Sequence, residues 1–257
     1  MRTRIKICGI TRASDAAAAV AAGVDAVGLI FFPPSRRAVS MNDAVAVGRE
    51  IPALVDLVGV FVDPAPGQVE AVLDQVPVTV LQFHGNETAL VCEQFKLPYI
   101  KAVRMKPEID PLQTDQLHPN AGALLLDTYC QQEVGGTGAS FDWTQARIKT
   151  QAPIILAGGL CTDNVPEALT QSDAWGVDVS TGVEVMPGLK DAEKIKTLEK
   201  DKLDNINSFK QNKKTINAPK ELGGKESGRI PPDPFDEKKV ADLIKKQLDN
   251  LSKGQKK

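Results

Sequence analysis

Residues 4–32 read RIKICGITRASDAAAAVAAGVDAVGLIFF, and this stretch decides the fold. It opens with a β-branched run ending at Cys8, continues through the alanine-rich segment ASDAAAAVAAG, and returns to an apolar run, AVGLIFF. Strand, helix, strand over so short a span is a βα unit, whose two strands run parallel. The pattern then repeats outward. LVGVFV near 57, VTVLQF near 78, YIKAVR near 99, ALLLD near 123, PIILAGG near 153 and WGVDVS near 175 complete eight runs, with helical stretches such as MNDAVAVGREI between them. Runs apolar at nearly every position fit parallel strands buried on both faces. The expectation is α/β class, a (β/α)8 TIM barrel over residues 1–202. A doubly wound open sheet is the competing architecture, but no GxGxxG follows the first strand.

Composition bounds what such a body can do. A chain of 257 residues with 42% hydrophobic content can bury a sizeable core. The formal net charge is −2, but it is unevenly spread: residues 201–257 hold 14 Lys and Arg against 9 Asp and Glu, leaving 17 against 24 in residues 1–200. An acidic body offers no footprint for nucleic acid, so any anion it binds is held locally, by backbone amides or single basic side chains. Cys8, Cys92, Cys130 and Cys161 show neither CxxC pairing nor zinc-type spacing, which points to reduced thiols in a cytoplasmic protein. The start MRTRIKICGIT has no apolar leader, and no apolar run reaches the roughly 18 residues of a membrane span. No membrane association is expected.

The composition changes after about residue 200. The region 203–257 is Lys-, Asn- and Pro-rich with little to bury, and reads as a largely disordered extension. Near its end, residues 236–252 place Val240, Leu243, Ile244, Leu248 and Leu251 on one face of a short amphipathic helix.

Catalysis on this fold sits at the C-terminal ends of the strands. The polar residues expected there are Cys8, Arg37, His84, Arg104, Asp127, Gly158 with Gly159, and Ser180 with Thr181 and Gly182. One thiol and one carboxyl, far apart in sequence but brought to one rim above a phosphate-sized cradle, suggest proton transfer on a sugar phosphate. Gly158 and Gly159, ahead of a helix, let backbone amides approach an anion, and Ser180, Thr181 and Gly182 do the same after the eighth strand. Arg37 offers a planar guanidinium that can grip a carboxylate. His84 lines the pocket, orients a neighbour, or is a structural hydrogen-bonder. Asp178, inside the eighth strand, faces the barrel top, and His118 looks like a loop residue.

The motifs KICGIT, VGLIFFPPSRRAVS, LVGVFVD, LQFHGNE, IKAVR, LLLDTY, GGTGASFDW, ILAGGL, VDVSTGVE and PGLKD, in that order, resemble the phosphoribosylanthranilate isomerase family over residues 4 to about 198. The resemblance implies an Amadori rearrangement of N-(5-phosphoribosyl)anthranilate to 1-(2-carboxyphenylamino)-1-deoxyribulose 5-phosphate, the third step from chorismate to tryptophan. It implies Cys8 as the base, Asp127 as the acid and Arg37 at the anthranilate carboxylate. A free thiol has a pKa of about 8.5, so such a base needs its anion favoured, while an aspartic acid needs its proton held. The family more often reads SSG where this chain has STG, a change that keeps hydroxyl and amide. GGTGASFDW would be a lid. No metal or organic cofactor is implied, because the redox change is internal to one substrate. The partner is a small phosphosugar, with the chain as monomer or homodimer. Two rivals stand beside this: the sister isomerase of histidine synthesis, expected to carry aspartate in place of Cys8, and a barrel that only binds a phosphorylated ligand.

Overall fold

The computed structural model describes residues 2–106, 109–128 and 142–200. Eight parallel strands follow one another around a closed barrel: β1 (Arg4–Cys8), β2 (Ala26–Ile30), β3 (Asp56–Phe61), β4 (Val80–Phe83), β5 (Tyr99–Met105), β6 (Ala123–Thr128), β7 (Ile154–Leu156) and β8 (Gly176–Val179). Closure is made by β8 pairing with β1, in a register that sets Ile5 opposite Val177 and Lys6 opposite Asp178. The eight expected runs are therefore all strands, and the open sheet is excluded. Some runs are longer than their strands: Val78 and Thr79 precede β4, and Thr79 uses its hydroxyl to accept from the Leu57 amide at 3.0 Å.

Side chains alternate across each strand, and this alternation makes two cores. Ile5, Ile7, Val27, Leu29, Leu57, Leu81, Phe83, Leu124, Leu126, Val177 and Val179 point outward and pack under the helices. Phe31, Phe61 and Phe83 form a run of rings in this layer, with centroids 5.4 and 6.4 Å apart. Cys8, Val58, Val60, Ile100, Ala102, Leu125, Ile155 and Ala157 point inward and fill the barrel. Every odd step along β1 thus belongs to the outer layer, and Cys8 falls on the inner face because Lys6 does.

The helices are α1 (Ala13–Ala22), α2 (Met41–Gly48), α3 (Gln68–Leu73), α4 (Ala89–Glu93), α5 (Pro111–Leu117) and α6 (Val165–Ser172), with a further helical stretch over 192–200. α1 uses alanine to lie close: Ala16 and Ala19 are fully buried against the sheet. Ser40 caps α2 by accepting from the Asp43 amide at 3.2 Å. Between β6 and β7 the described residues hold only a 3₁₀ turn, Trp143–Ala146. The candidate lid, apart from Asp142 and Trp143, lies outside the described residues, as do Cys130 and the expected extension 203–257 with its helix. After β8 comes a short antiparallel pair, β9 (Glu184–Met186) and β10 (Leu189–Lys190). No described helix is long and apolar enough to cross a membrane.

Candidate active site

Strand ends β1, β4, β6 and β8 meet at one pocket in the C-terminal mouth, lined by Cys8, Arg37, His84, Asp127, Gly158, Asp178, Ser180 and Thr181 among others. Gly159 and Gly182 stand directly beside these residues, so the chain closure gathers the expected set except Arg104, which lines a separate pocket with Gly85 and Lys101. Cys8 and Asp127 are each only 6% exposed.

On one side of the mouth, Cys8 lies over a buried ion pair. Lys6 Nζ donates to Asp178 Oδ1 at 2.9 Å, across the closing seam of the barrel. Burial, and then the Asp178 carboxylate, push the Cys8 thiol above its ordinary pKa; the Lys6 ammonium, with Lys190 adding less, pulls the other way without overcoming them. The cation that the sequence reading asked for is present, but burial and the Asp178 carboxylate outweigh its pull on the thiol. Burial works to lower the Lys6 pKa, but Asp178, then Cys8, outweigh it and raise it, so the ammonium is charged at all ordinary pH.

The opposite side is built from hydrogen bonds rather than formal charge pairs. His84 Nε2 and Asp127 Oδ2 are 3.1 Å apart and can share one proton. The other ring nitrogen, Nδ1, lies 2.9 Å from the side-chain nitrogen of Gln82. With that amide as placed, Gln82 Oε1 is buried with no partner; turning the amide over would set its oxygen to accept from Nδ1–H. In that arrangement Nε2 carries no hydrogen and can only accept. Arg104, register partner of Asp127 on β5, donates from Nη2 to the His84 carbonyl at 3.1 Å and fixes the strand end.

The phosphate-sized cradle lies between the loops after β7 and β8. Gly158 has φ +79°, and a Cβ there would run into Thr128, so only glycine permits this approach. The amides of Gly158 and Gly159 donate no hydrogen bond to a described residue. They do not open a helix directly, as the sequence suggested: α6 begins at Val165, after a turn in which Asn164 accepts from the Cys161 amide at 2.8 Å. Gly182 packs against this turn through a bridge to Cys161, and a Cβ on it would collide with the Leu160 carbonyl. The two loops are thereby locked into one platform.

Arg37 reaches the rim from the loop after β2, but its guanidinium is engaged by protein. Nε and Nη2 donate to Glu184 Oε1 and Oε2, both at 2.9 Å. Lys190 Nζ donates to the same carboxylate at 2.7 Å and to the Ser180 carbonyl at 3.1 Å. Burial tends to raise the Glu184 pKa, but the Arg37 hydrogen bonds and Lys190 outweigh it and hold the carboxyl below its ordinary value. Burial lowers the Lys190 pKa against the pull of Glu184.

Sequence reading passed over Lys6, Gln82, Glu184 and Lys190. One signal was available: a charge between Ile5 and Ile7 in an otherwise apolar strand, with a carboxylate at the equivalent depth of the strand that closes the barrel. His118 follows α5 outside any helix or strand, in keeping with its reading as a loop residue. It caps α5, is buried, and has its Nδ1 3.4 Å from the Tyr99 hydroxyl. Of the remaining thiols, Cys92 is buried in α4 and Cys161 precedes α6; both are free. Among the described residues no cluster of three His, Cys, Asp or Glu is arranged to hold a metal ion.

Fold and mouth together define a (β/α)8 barrel enzyme class whose open glycine amides and rim donors suit a small anionic ligand. A family model described as N-(5'phosphoribosyl)anthranilate (PRA) isomerase matches residues 5–201. The N-(5'-phosphoribosyl)anthranilate isomerase of Cellvibrio japonicus is 50% identical over 191 residues, covering 74% of this chain and 89% of the relative. The crystal structure of the Thermotoga maritima enzyme of that name superimposes with TM-score 0.71 at 36% identity, covering 79% of this chain and 99% of its own. A phosphoribosylanthranilate isomerase solved with reduced 1-(o-carboxyphenylamino)-1-deoxyribulose 5-phosphate gives TM-score 0.69 at 35% identity, with 79% and 99% coverage. The chain belongs to the phosphoribosylanthranilate isomerase family.

Proposed function

We infer that this chain isomerises N-(5'-phosphoribosyl)anthranilate to the corresponding 1-amino-1-deoxyketose phosphate in tryptophan biosynthesis. The observation that carries the assignment of residues is the meeting of Cys8 and Asp127 in one buried mouth beside the Gly158 and Ser180 loops. In this reading Asp127 donates its proton to the furanose oxygen, the C1–O bond breaks, and a Schiff base forms between C1 and the anthranilate nitrogen. Cys8, as thiolate, then removes the proton from C2. The electron pair moves to the nitrogen through an enolamine, which tautomerises to the ketone, so C1 is reduced and C2 oxidised with no outside reagent.

His84 supports the acid by sharing its proton, and regains the arrangement when Asp127 is reprotonated. Amides of Gly158 and Gly159, with Ser180, Thr181 and the backbone at Gly182, receive the phosphate, in keeping with the usual anion site of these barrels. Arg37 meets the anthranilate carboxylate as a charge held in place by Glu184; a bidentate grip through its Nε–Nη2 edge would require Glu184 to let go. Asp178 serves from below, through Lys6. The solved relative with a reduced product analogue supports a phosphosugar in a barrel of this form. Residues 1–202 are the catalytic domain in this reading, and 203–257 is an appendage to it.

A fluorescence assay following loss of phosphoribosylanthranilate tests the function directly. Turnover is expected with this substrate and not with the histidine-pathway aminoaldose alone. Binding without turnover would return the chain to the class of ligand-holding barrels.

A further inference from the structure

Lys6 forms a buried ion pair with Asp178, and it lies against the sulfur that the proposed reaction needs as an anion. Its stem lines the cavity at the N-terminal end of the barrel, while its ammonium meets Asp178, which lines the mouth. Side chains at 6 and 8 share the inner face of β1. Gly28, the register partner of Cys8 on β2, leaves a niche into which both of them turn. A Cβ built on Gly28 would lie 3.0 Å from Cys8 Sγ and 3.1 Å from Lys6 Nζ. Any larger residue at 28 would separate the two.

We propose that Lys6 is a positioning residue that sets the acidity of Cys8, with Asp178 as its counter-ion and Gly28 as the gap in which ammonium and sulfur meet. The proposal rests on the reading of Cys8 as the base. A carboxylate and an ammonium side by side make an adjustable pair: the ammonium favours the thiolate, and the carboxylate disfavours it and competes for the same donor. In the protein's own arrangement, burial and the carboxylate prevail. Any ligand that draws the Asp178 carboxylate away from Lys6 leaves the ammonium to the sulfur, and the thiol loses its proton when substrate is in place. A standing reactive thiolate is thus avoided between turnovers.

The groups facing Cys8 are few enough for a signed test. Lys6 shares β1 with it, Asp178 comes from β8 and Lys190 from β10, while Arg37, His84 and Asp127 face it across the mouth. The readout is the pH midpoint of alkylation of Cys8 by iodoacetamide in the full chain, followed by mass spectrometry of the peptide containing residue 8, so that other thiols do not interfere. Lys6→Met is expected to raise the midpoint by about one unit or more, and Asp178→Asn to lower it, since the effect of one nearby charge is on that scale. The acid limb of kcat/KM should move in the same direction in each variant. A merely structural role would move both variants alike or neither, and an unchanged midpoint in Lys6→Met, or a rise in Asp178→Asn, overturns the proposal. Should Lys6→Met not fold, Gly28→Ala keeps both charges and fills the niche: a raised midpoint supports the proposal and an unchanged one overturns it. Failure of the underlying reading shows differently, as normal turnover in Cys8→Ala.

Discussion

The two sides of the mouth solve opposite problems with different materials. Around Cys8, where the β1–β8 seam closes, the protein uses formal charge: an ammonium and a carboxylate buried at 2.9 Å. Around Asp127, on β4 to β6, it uses a chain of side-chain hydrogen bonds, Gln82 to His84 and His84 to Asp127. A base that must become an anion needs a tunable field, whereas an acid that must keep a proton needs a partner that shares it. If Cys8 and Asp127 act as proposed, the difference makes base and acid separately adjustable, and the following experiments probe that independence.

The largest effects are expected at the two reacting groups. Cys8→Ala and Asp127→Asn should each lower kcat by at least about a hundredfold, the scale of losing a general base or acid. Near-normal turnover in either, in the fluorescence assay, removes the role given to that residue. A smaller loss, about tenfold in kcat, is expected for His84→Asn, since Asp127 remains but its shared proton does not. If the sides are independent, the alkylation midpoint of Cys8 stays where it was in that variant; a shift of a full unit would join them.

Next comes the platform that carries the phosphate loop. Glu184→Gln leaves Arg37 and Lys190 buried without their counter-charge and should destabilise the fold by about 3 kcal/mol at pH 7, read from urea unfolding. The sign with pH follows from the depressed pKa of Glu184. A carboxyl with a lower pKa folded than unfolded contributes its stability in full above the unfolded value, about 4.3, and loses it as pH falls through the folded value. The gap between the native chain and Glu184→Gln should therefore close in acid; a gap that persists below pH 3 would mean the loss is one of packing. Smallest of all is removal of residues 206–257, for which kcat and KM are expected to stay within about twofold, and loss of soluble active protein would make the extension part of the barrel.

Much of this was legible in the sequence because a parallel barrel advertises itself in buried strands. RIKIC, ALLLD and WGVDVS each read as strands, and each places one chemistry-bearing residue at its C-terminal end. Cys8, Asp127, Gly158 and Ser180 could be found by that rule alone, before any resemblance gave them an order. What stayed hidden depends on register. Nothing local tells that Lys6 faces Asp178 across a seam between the first and the last strand, 172 residues apart. Glu184 was equally silent, because its partner Arg37 lies 147 residues away and the Nε–Nη2 edge of that arginine looks free when only the sequence is read.

Closure by β1 and β8 also fixes when in the life of the molecule the chemistry can exist. A chain emerging from the ribosome carries Cys8 among its first eight residues, but the carboxylate opposite Lys6 is made at residue 178 and the lysine that holds the Ser180 carbonyl at 190. Long-separation pairings of this kind form late. Through most of synthesis the sulfur is an ordinary cysteine on an unpaired edge, and the site comes into being in a single step when the last strand docks on the first.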